Sequence, residues 1–171
     1  MAKEAKDLLE HIDFASLECL NEAPGHGVAN VLKQGYREQD ELFLESDTDE
    51  QLLINIRFQN RVKLGSIVIK AIDEDKAPKT VKLYVNRPHM GFSDTSSVPA
   101  SQELELSPAA LAKGDPVPLK LVKFNAVEVL SVFIESNHGG EETTKLCKIA
   151  LFGSTGEVFN VAEIKKQGEE K

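Results

Sequence analysis

The stretch "FLESDTDEQLLINIRF", from Phe43 to Phe58, carries the clearest structural signal in the sequence. After an acidic start, apolar residues occupy every second position from Leu52 onward, while polar residues such as Asn55 and Arg57 lie between them. A period of two is typical of a β-strand that packs one face against a core. The stretch therefore predicts a half-buried strand that follows an acidic turn.

The same alternation recurs along the rest of the chain between turn signals. Polar turns are predicted at 59–62 and 73–78, a β-bulge at Gly65, and a hairpin loop at 137–142. The further predicted strands are "LGSIVIKAI" (64–72), "TVKLYVN" (80–86), "QELEL" (102–106), "VPLKLVKF" (117–124), "VEVLSVFIES" (127–136) and "TTKLCKIALFG" (143–153). Seven or eight short strands with little helix predict an all-β, antiparallel β-sandwich and disfavour a Rossmann-type enzyme.

Two short helical segments are predicted beside the strands. The first lies near the N-terminus, where Leu8, Leu9, Ile12 and Leu17 have loose helical spacing. The second is "SPAALAKG", with a helix near 107–113. Its serine is a suitable N-cap, its proline suits the first helical position, and its glycine suits the end.

The composition bounds the classes of function. The 171 residues suit one domain, and the net charge of -8 with a pI near 5.1 argues against nucleic-acid and membrane partners. No signal peptide and no apolar run of about 18 residues is visible, so we expect a cytoplasmic monomer, also found in the nucleus. Cys19 and Cys147 form no CxxC motif. The strand parity of Cys147 predicts a buried thiol, and a disulfide between the two remains open.

No catalytic or metal-binding pattern stands out, and we expect no cofactor and no metal. The four histidines are isolated from one another. The acidic cluster resembles the start of an EF-hand, but Leu52 and Phe58 occupy the positions that need Gly and Glu. A calcium ion held by this loop is the alternative to a simple turn, in which Ser46 or Asp47 caps free backbone N–H groups. The cluster consists of Glu45, Ser46, Asp47, Asp49 and Glu50.

Four stretches in the chain occur together in this order: "LECLNE" (17–22), "FLESDTDEQLLINIRF" (43–58), "VKLYVNRPHMGFSD" (81–94) and "ESNHGGEETTKLCKIALFG" (135–153). Together they resemble the PITH (proteasome-interacting thioredoxin) domain family. The resemblance covers residues 12–160, which leaves an N-terminal extension at 1–11 and a charged, flexible tail at 161–171. It implies a jelly-roll sandwich similar to galactose-binding domains.

The resemblance also implies a function. Family members with a thioredoxin domain before the PITH domain associate with the regulatory particle of the 26S proteasome. This chain lacks the CxxC motif, so oxidoreductase activity is not expected. We expect a non-catalytic protein-interaction module, not an enzyme. The alternative is a small-ligand or glycan-binding module, although the chain has no Trp and only two tyrosines, Tyr36 and Tyr84.

Two long loops are the candidate interaction surfaces, because long loops inside compact domains often carry function. In the loop 87–101, Met90 and Phe92 are expected as exposed anchors, with packing beneath the loop as the alternative. In the loop 137–144 the candidates are Asn137, His138, Glu141, Glu142, Thr143 and Thr144. A pocket that joins His138 to Glu142 and a hydroxyl group would favour an enzyme instead.

Overall fold

One long strand, β4 (Leu52–Lys70), forms the spine of the protein in a computed structural model that describes residues 6–32 and 41–155. The predicted turn at 59–62 is wrong, because the strand continues through it. Residues 59–61 are exposed, and the ladder to β8 (Val127–Ile134) shifts its register between Arg57 and Val62. An irregularity of this kind bends a strand without ending it.

The remaining elements of the described residues are mostly short strands. The helices are α1 (Ala29–Leu32), α2 (Pro108–Lys113) and three 3-10 turns at Leu9–His11, Phe14–Ser16 and Phe92–Ser96. The other strands are β1 (Lys6–Asp7), β2 (Glu18–Leu20), β3 (Leu44–Glu45), β5 (Thr80–Val85), β6 (Gln102–Glu105), β7 (Pro116–Pro118), β9 (Lys145–Leu146) and β10 (Lys148–Thr155).

Strand β4 takes part in both layers of an antiparallel sandwich. Its first part pairs with β2 and β8, and β8 continues to β5 and β6. Its second part pairs with β7 and β10, and β10 continues to β1. The predicted all-β fold is confirmed. The hairpin predicted around 137–142 is wrong, since β8 and β10 both pair with β4 and not with each other.

The core lies between these layers and follows the alternation in the sequence. Leu52, Ile54 and Ile56 of β4 are fully buried there. Leu8 and Leu9, which lie in the predicted N-terminal extension 1–11, belong to the same core.

The opposite face of β4 is also covered, so the prediction of a half-buried strand is wrong. Leu53 is fully buried and Asn55 is nearly so, because the loop 87–101 lies over them. The apolar cluster beneath this loop consists of Leu53, Tyr84, Met90 and Phe133, with Phe92 packed against it.

Local signals decide some elements and tertiary contacts decide others. The predicted helix at α2 is confirmed: Ser107 Oγ accepts from the Ala110 N–H, and Gly114 ends the helix with φ 71°. Gly65 is the bulge residue, left out of the ladder between β4 and β10.

The predicted N-terminal helix is reduced to two 3-10 turns. Backbone hydrogen bonds to the sandwich, Leu8 N to Leu151 O and Asp13 N to Arg57 O, fix the chain there. The predicted strand 117–124 ends at Pro118, after which the chain turns.

Two further predictions concern the charged tail and membrane-spanning segments. The predicted tail 161–171 lies outside the described residues. Among the described residues, none of the helices has the length and apolar character that crossing a membrane requires.

Candidate functional site

The acidic stretch 45–50 and the loop 137–144 meet in the structure. Ser46 and Thr144 are 98 residues apart, yet Thr144 N donates to Ser46 Oγ at 2.8 Å and Ser46 N donates to Thr144 O at 2.9 Å. Both residues are essentially inaccessible to solvent. Strands β3 and β9 extend the contact as an antiparallel ladder. We call this contact the Ser46–Thr144 junction.

A buried amide holds the loop 137–144 from the inside. Asn137 Nδ2 lies 3.0 Å from Glu141 O, 3.1 Å from Thr143 O and 3.2 Å from Thr144 Oγ1, and its Oδ1 accepts from Glu141 N at 2.9 Å. Thr144 Oγ1 in turn donates to Glu50 O at 2.7 Å. These bonds satisfy polar groups that the loop removes from water, so they fix its conformation.

Glu45 joins the junction to the neighbouring turn. Its Oε2 accepts from Thr143 Oγ1 at 2.8 Å and from Lys76 Nζ at 3.0 Å. Partial burial acts to raise the pKa of Glu45, but the hydrogen bonds from Lys76 and Thr143 outweigh it and hold the pKa below its usual value. The hydrogen bond to Glu45 raises the pKa of Lys76. Both groups are therefore charged at neutral pH.

The start of β4 is capped, though not by the residues we predicted. Asp49 Oδ1 accepts from Gln51 N at 3.0 Å, whereas Asp47 is exposed and Ser46 bonds to the distant loop. A side chain caps the turn as predicted, but the capping residue is Asp49 and not Ser46 or Asp47.

Asn21 also contributes to this turn, although the sequence did not predict it. It adopts φ 75°, and its Nδ2 donates to Asp49 Oδ1 at 2.9 Å and to Gln51 O at 2.7 Å. Its Oδ1 accepts from both the N–H and the hydroxyl of Thr48. Asparagine tolerates the left-handed region, which is a weak local signal, but no signal could reveal partners about 30 residues away.

The carboxylates of Glu45 and Asp49 thus accept from backbone and side-chain donors. Within residues 6–32 and 41–155, no group of three or more His, Cys, Asp or Glu side chains is placed to hold a metal ion.

Met90 and Phe92 are not the exposed anchors that we expected. Met90 is 5% exposed and lies against Leu53, Tyr84 and Phe133, and its carbonyl oxygen accepts from Asn55 Nδ2 at 3.3 Å. The Phe92 ring meets the Phe133 ring edge-on at 6.1 Å. The alternative of an apolar cluster beneath the loop is confirmed. The reason is that Leu53, Tyr84 and Phe133, from three neighbouring strands, form an apolar surface that the loop covers.

His138 does not form the acid–base pair that would favour an enzyme. Its Nε2 lies 2.7 Å from Leu106 O. A carbonyl oxygen only accepts, so Nε2 carries the hydrogen and donates it. Glu141 and Glu142, by contrast, are exposed.

The two cysteines are free thiols, so the open question of a disulfide is answered. Cys147 is buried as predicted. Burial, reinforced by nearby Glu22 and Glu18, raises the pKa of Cys19 far above its usual value, which makes it a poor nucleophile.

A small cleft lies along the loop 87–101. Its volume is about 280 Å³, and Arg87, His89 and Asp94 line it together with Met90 and Val98. Tyr84, one of two tyrosines in the chain, is buried with its hydroxyl 3.3 Å from Thr95 O. It therefore offers no surface on which a sugar ring could stack.

The sequence is similar to named proteins of one family. The sequence model of the PITH domain matches residues 1–169. Thioredoxin-like protein 1 of Schizosaccharomyces pombe is 41% identical over 148 residues, which is 83% of this chain and 49% of that protein. PITH domain-containing protein 1 of Homo sapiens is 37% identical over 155 residues, which is 90% of this chain and 72% of that protein. The chain thus spans about half the length of the first relative.

Solved structures support the fold. A family 32 carbohydrate-binding module from Clostridium perfringens NanJ, in complex with galactose, has a TM-score of 0.61 at 6% identity. The match covers 87% of this chain and 98% of the module's chain. The CBM32-1 and CBM32-2 domains of Clostridium perfringens ZmpB, in complex with GalNAc, give 0.60 at 10% identity. This match covers 89% of this chain and 36% of the ZmpB chain. At such identities the likeness concerns the galactose-binding-like β-sandwich alone.

Proposed function

Because the chain belongs to the PITH domain family, we propose that it is a non-catalytic protein-interaction module. The regulatory particle of the 26S proteasome is the partner to test first, because the family resemblance points to it.

The observation that carries this proposal is the preorganised loop 137–144. Asn137 and the Ser46–Thr144 junction hold its backbone, and Glu141 and Glu142 face the solvent. A surface loop that is already rigid loses little conformational entropy when a partner binds. The loop therefore has the physical properties of a recognition element.

The surroundings of the loop indicate the chemistry of the partner. Gly139 N donates to Asp75 O at 2.8 Å, which brings the exposed Glu74 and Asp75 beside the loop. A Cβ at Gly139 would lie 2.8 Å from Asp75 Cβ, so glycine allows this close approach. With a net charge of -8 over the chain, a basic protein surface is the complementary partner.

Affinity capture from a cell lysate tests the proposal. The bait is the full chain, and the test variant is Glu141→Lys/Glu142→Lys. The matched control is Glu10→Lys/Glu103→Lys, which changes the charge equally at exposed sites on other elements. We expect proteasome subunits with the wild type and the control and a strong loss with the test variant. Equal capture by all three, or none with a folded wild type, contradicts the proposal.

The cleft beside the loop 87–101 favours a second candidate, a small-ligand or glycan-binding module. It combines a guanidinium, an imidazole and a carboxylate with apolar Met90 and Val98, and small-ligand sites have such mixed linings. NMR titration with galactose tests it. Shifts confined to the cleft and lost in Arg87→Ala would support the idea, whereas a flat response to a panel of sugars would remove it.

A further inference from the structure

A turn after β7 projects two apolar side chains into the solvent. Val122 is 86% exposed and Leu121 is 62% exposed, while Leu119 and Phe124 on either side are buried. We call residues 119–124 the apolar tip. Single exposed apolar residues are common, but two adjacent ones at the point of a turn form a projection.

Backbone hydrogen bonds fix the conformation of the apolar tip. Lys123 N donates to Lys120 O at 2.9 Å and closes the turn. Leu119 N donates to Gly65 O at 2.9 Å, and Leu64 N donates to Phe124 O at 2.9 Å, so both ends are fastened to β4. These bonds hold Leu121 and Val122 outward although burial would be favourable.

Positive charge surrounds the apolar tip in an otherwise acidic protein. Lys120 and Lys123 are exposed within it. Arg61 and Glu128 form an ion pair at 2.9 Å, so together they add no net charge beside Lys120 and Lys123.

We propose that the apolar tip docks on an anionic lipid bilayer, with Leu121 and Val122 among the acyl chains and the lysines at the headgroups. Paired apolar and basic groups are what an anionic membrane surface binds. A protein partner fits less well, because lysine is depleted from protein interfaces and Leu and Val are rare among dominant binding residues. The overall charge led us to expect no membrane partner, and this local surface is the ground for proposing one.

The absence of tryptophan from the chain allows a direct test. Val122→Trp introduces a single fluorophore at the apolar tip, and Ile72→Trp places one at another exposed apolar site, 56% exposed. With vesicles containing phosphatidylserine at low salt, we expect the Val122→Trp emission to shift to the blue and the Ile72→Trp emission to stay unchanged. A shift at neither position, or equal shifts at both, overturns the proposal.

Vesicle sedimentation of the tryptophan-free chain gives an independent measurement. Lys120→Gln/Lys123→Gln should weaken binding about thirtyfold, and Leu121→Ser/Val122→Ser about a hundredfold, while Ile72→Ser binds like the wild type. No binding by the wild type, or no loss in either tip variant, contradicts docking by this tip. Sedimentation velocity without lipid gives a further check: a dimer that Leu121→Ser/Val122→Ser abolishes would assign the tip to self-association instead.

Discussion

The loops 87–101 and 137–144 were both expected to be open surfaces, and both are held down by buried side chains. The chemistry of the two anchors is opposite. Met90 fixes the first loop by apolar contact with Leu53 and Phe133, whereas Asn137 and Thr144 fix the second by hydrogen bonds. One loop therefore covers its strand, and the other is tied to a distant part of the chain.

The difference matters because the two kinds of anchor respond differently to mutation. Apolar packing accepts another side chain of similar volume, since contact is not directional. A buried amide with several partners has no apolar substitute, because the abandoned polar groups remain buried and unsatisfied. The loop 137–144 should therefore tolerate less change at its anchor than the loop 87–101.

The largest loss of unfolding free energy is expected on the core face of β4, from Ile54→Asp. The losses expected in the two loops can be compared with it. The substitution places an unpaired charge in a fully buried site and should cost at least about 4 kcal/mol of unfolding free energy. Urea denaturation measures this, with Asn60→Asp at an exposed position of the same strand as the control. Equal, small losses would mean that the orientation of β4 is wrong.

Asn137→Leu tests the polar anchor. It preserves the size of the side chain but leaves the partners of the amide without hydrogen bonds, so we expect a loss of about 3 kcal/mol. The same denaturation experiment, with Asn60→Leu as an exposed control, gives the number. A loss no greater than that of the control would remove the distinction between the two loops.

Met90→Leu tests the apolar anchor. The replacement has nearly the same volume, so the loss should stay below about 1.5 kcal/mol. NMR shifts of the loop 87–101 should remain close to those of the wild type. A loss as large as that expected for Asn137→Leu would show that shape matters in this cluster as much as hydrogen bonding does at the junction.

Asp49→Ala removes the cap at the start of β4 and one bond to Asn21. Because the site is exposed and water can replace the carboxylate, we expect a loss of only about 1 kcal/mol. Thermal unfolding followed by circular dichroism measures it. A loss above that of Ile54→Asp would contradict the solvated turn described above.

The pH dependence of Glu45 should be the smallest effect. The folded pKa is lowered, so its contribution is present above the unfolded pKa of about 4.3 and is lost as the pH falls through the folded pKa. Glu45→Gln should cost under about 1 kcal/mol at pH 7, and the difference from wild type should shrink at pH 3. A difference that does not change with pH would show that the charge of Glu45 contributes nothing.

The sequence predicts the features that depend on local periodicity and capping. The alternation from Leu52 onward, the bulge at Gly65 and the cap at Ser107 are all in place. Prediction from local patterns fails where a segment far away in sequence covers the chain or pairs with it. Polar residues at 59–61 resemble a turn, yet β4 continues through them, because β8 pairs with it on both sides, at Arg57 and at Val62.

The candidate site shows the same limit more strongly. Serine and threonine at positions 46 and 144 have no local pattern that indicates burial, because their partners are each other. Met90 was expected outside because it lies in a long loop, while the apolar surface that buries it belongs to three different strands. Long-range pairing of this kind follows from the fold and not from any short window of sequence.

The continuity of β4 has a consequence for how the protein folds. One backbone is shared by both layers, and its partners extend from Glu18 to Thr155. The second layer cannot complete its part of β4 until β10, the last strand among the described residues, has been synthesised, so contacts of high sequence separation must form before the sandwich is complete. The sandwich should then unfold as one cooperative unit, with amide hydrogens on both halves of β4 exchanging through the same global opening.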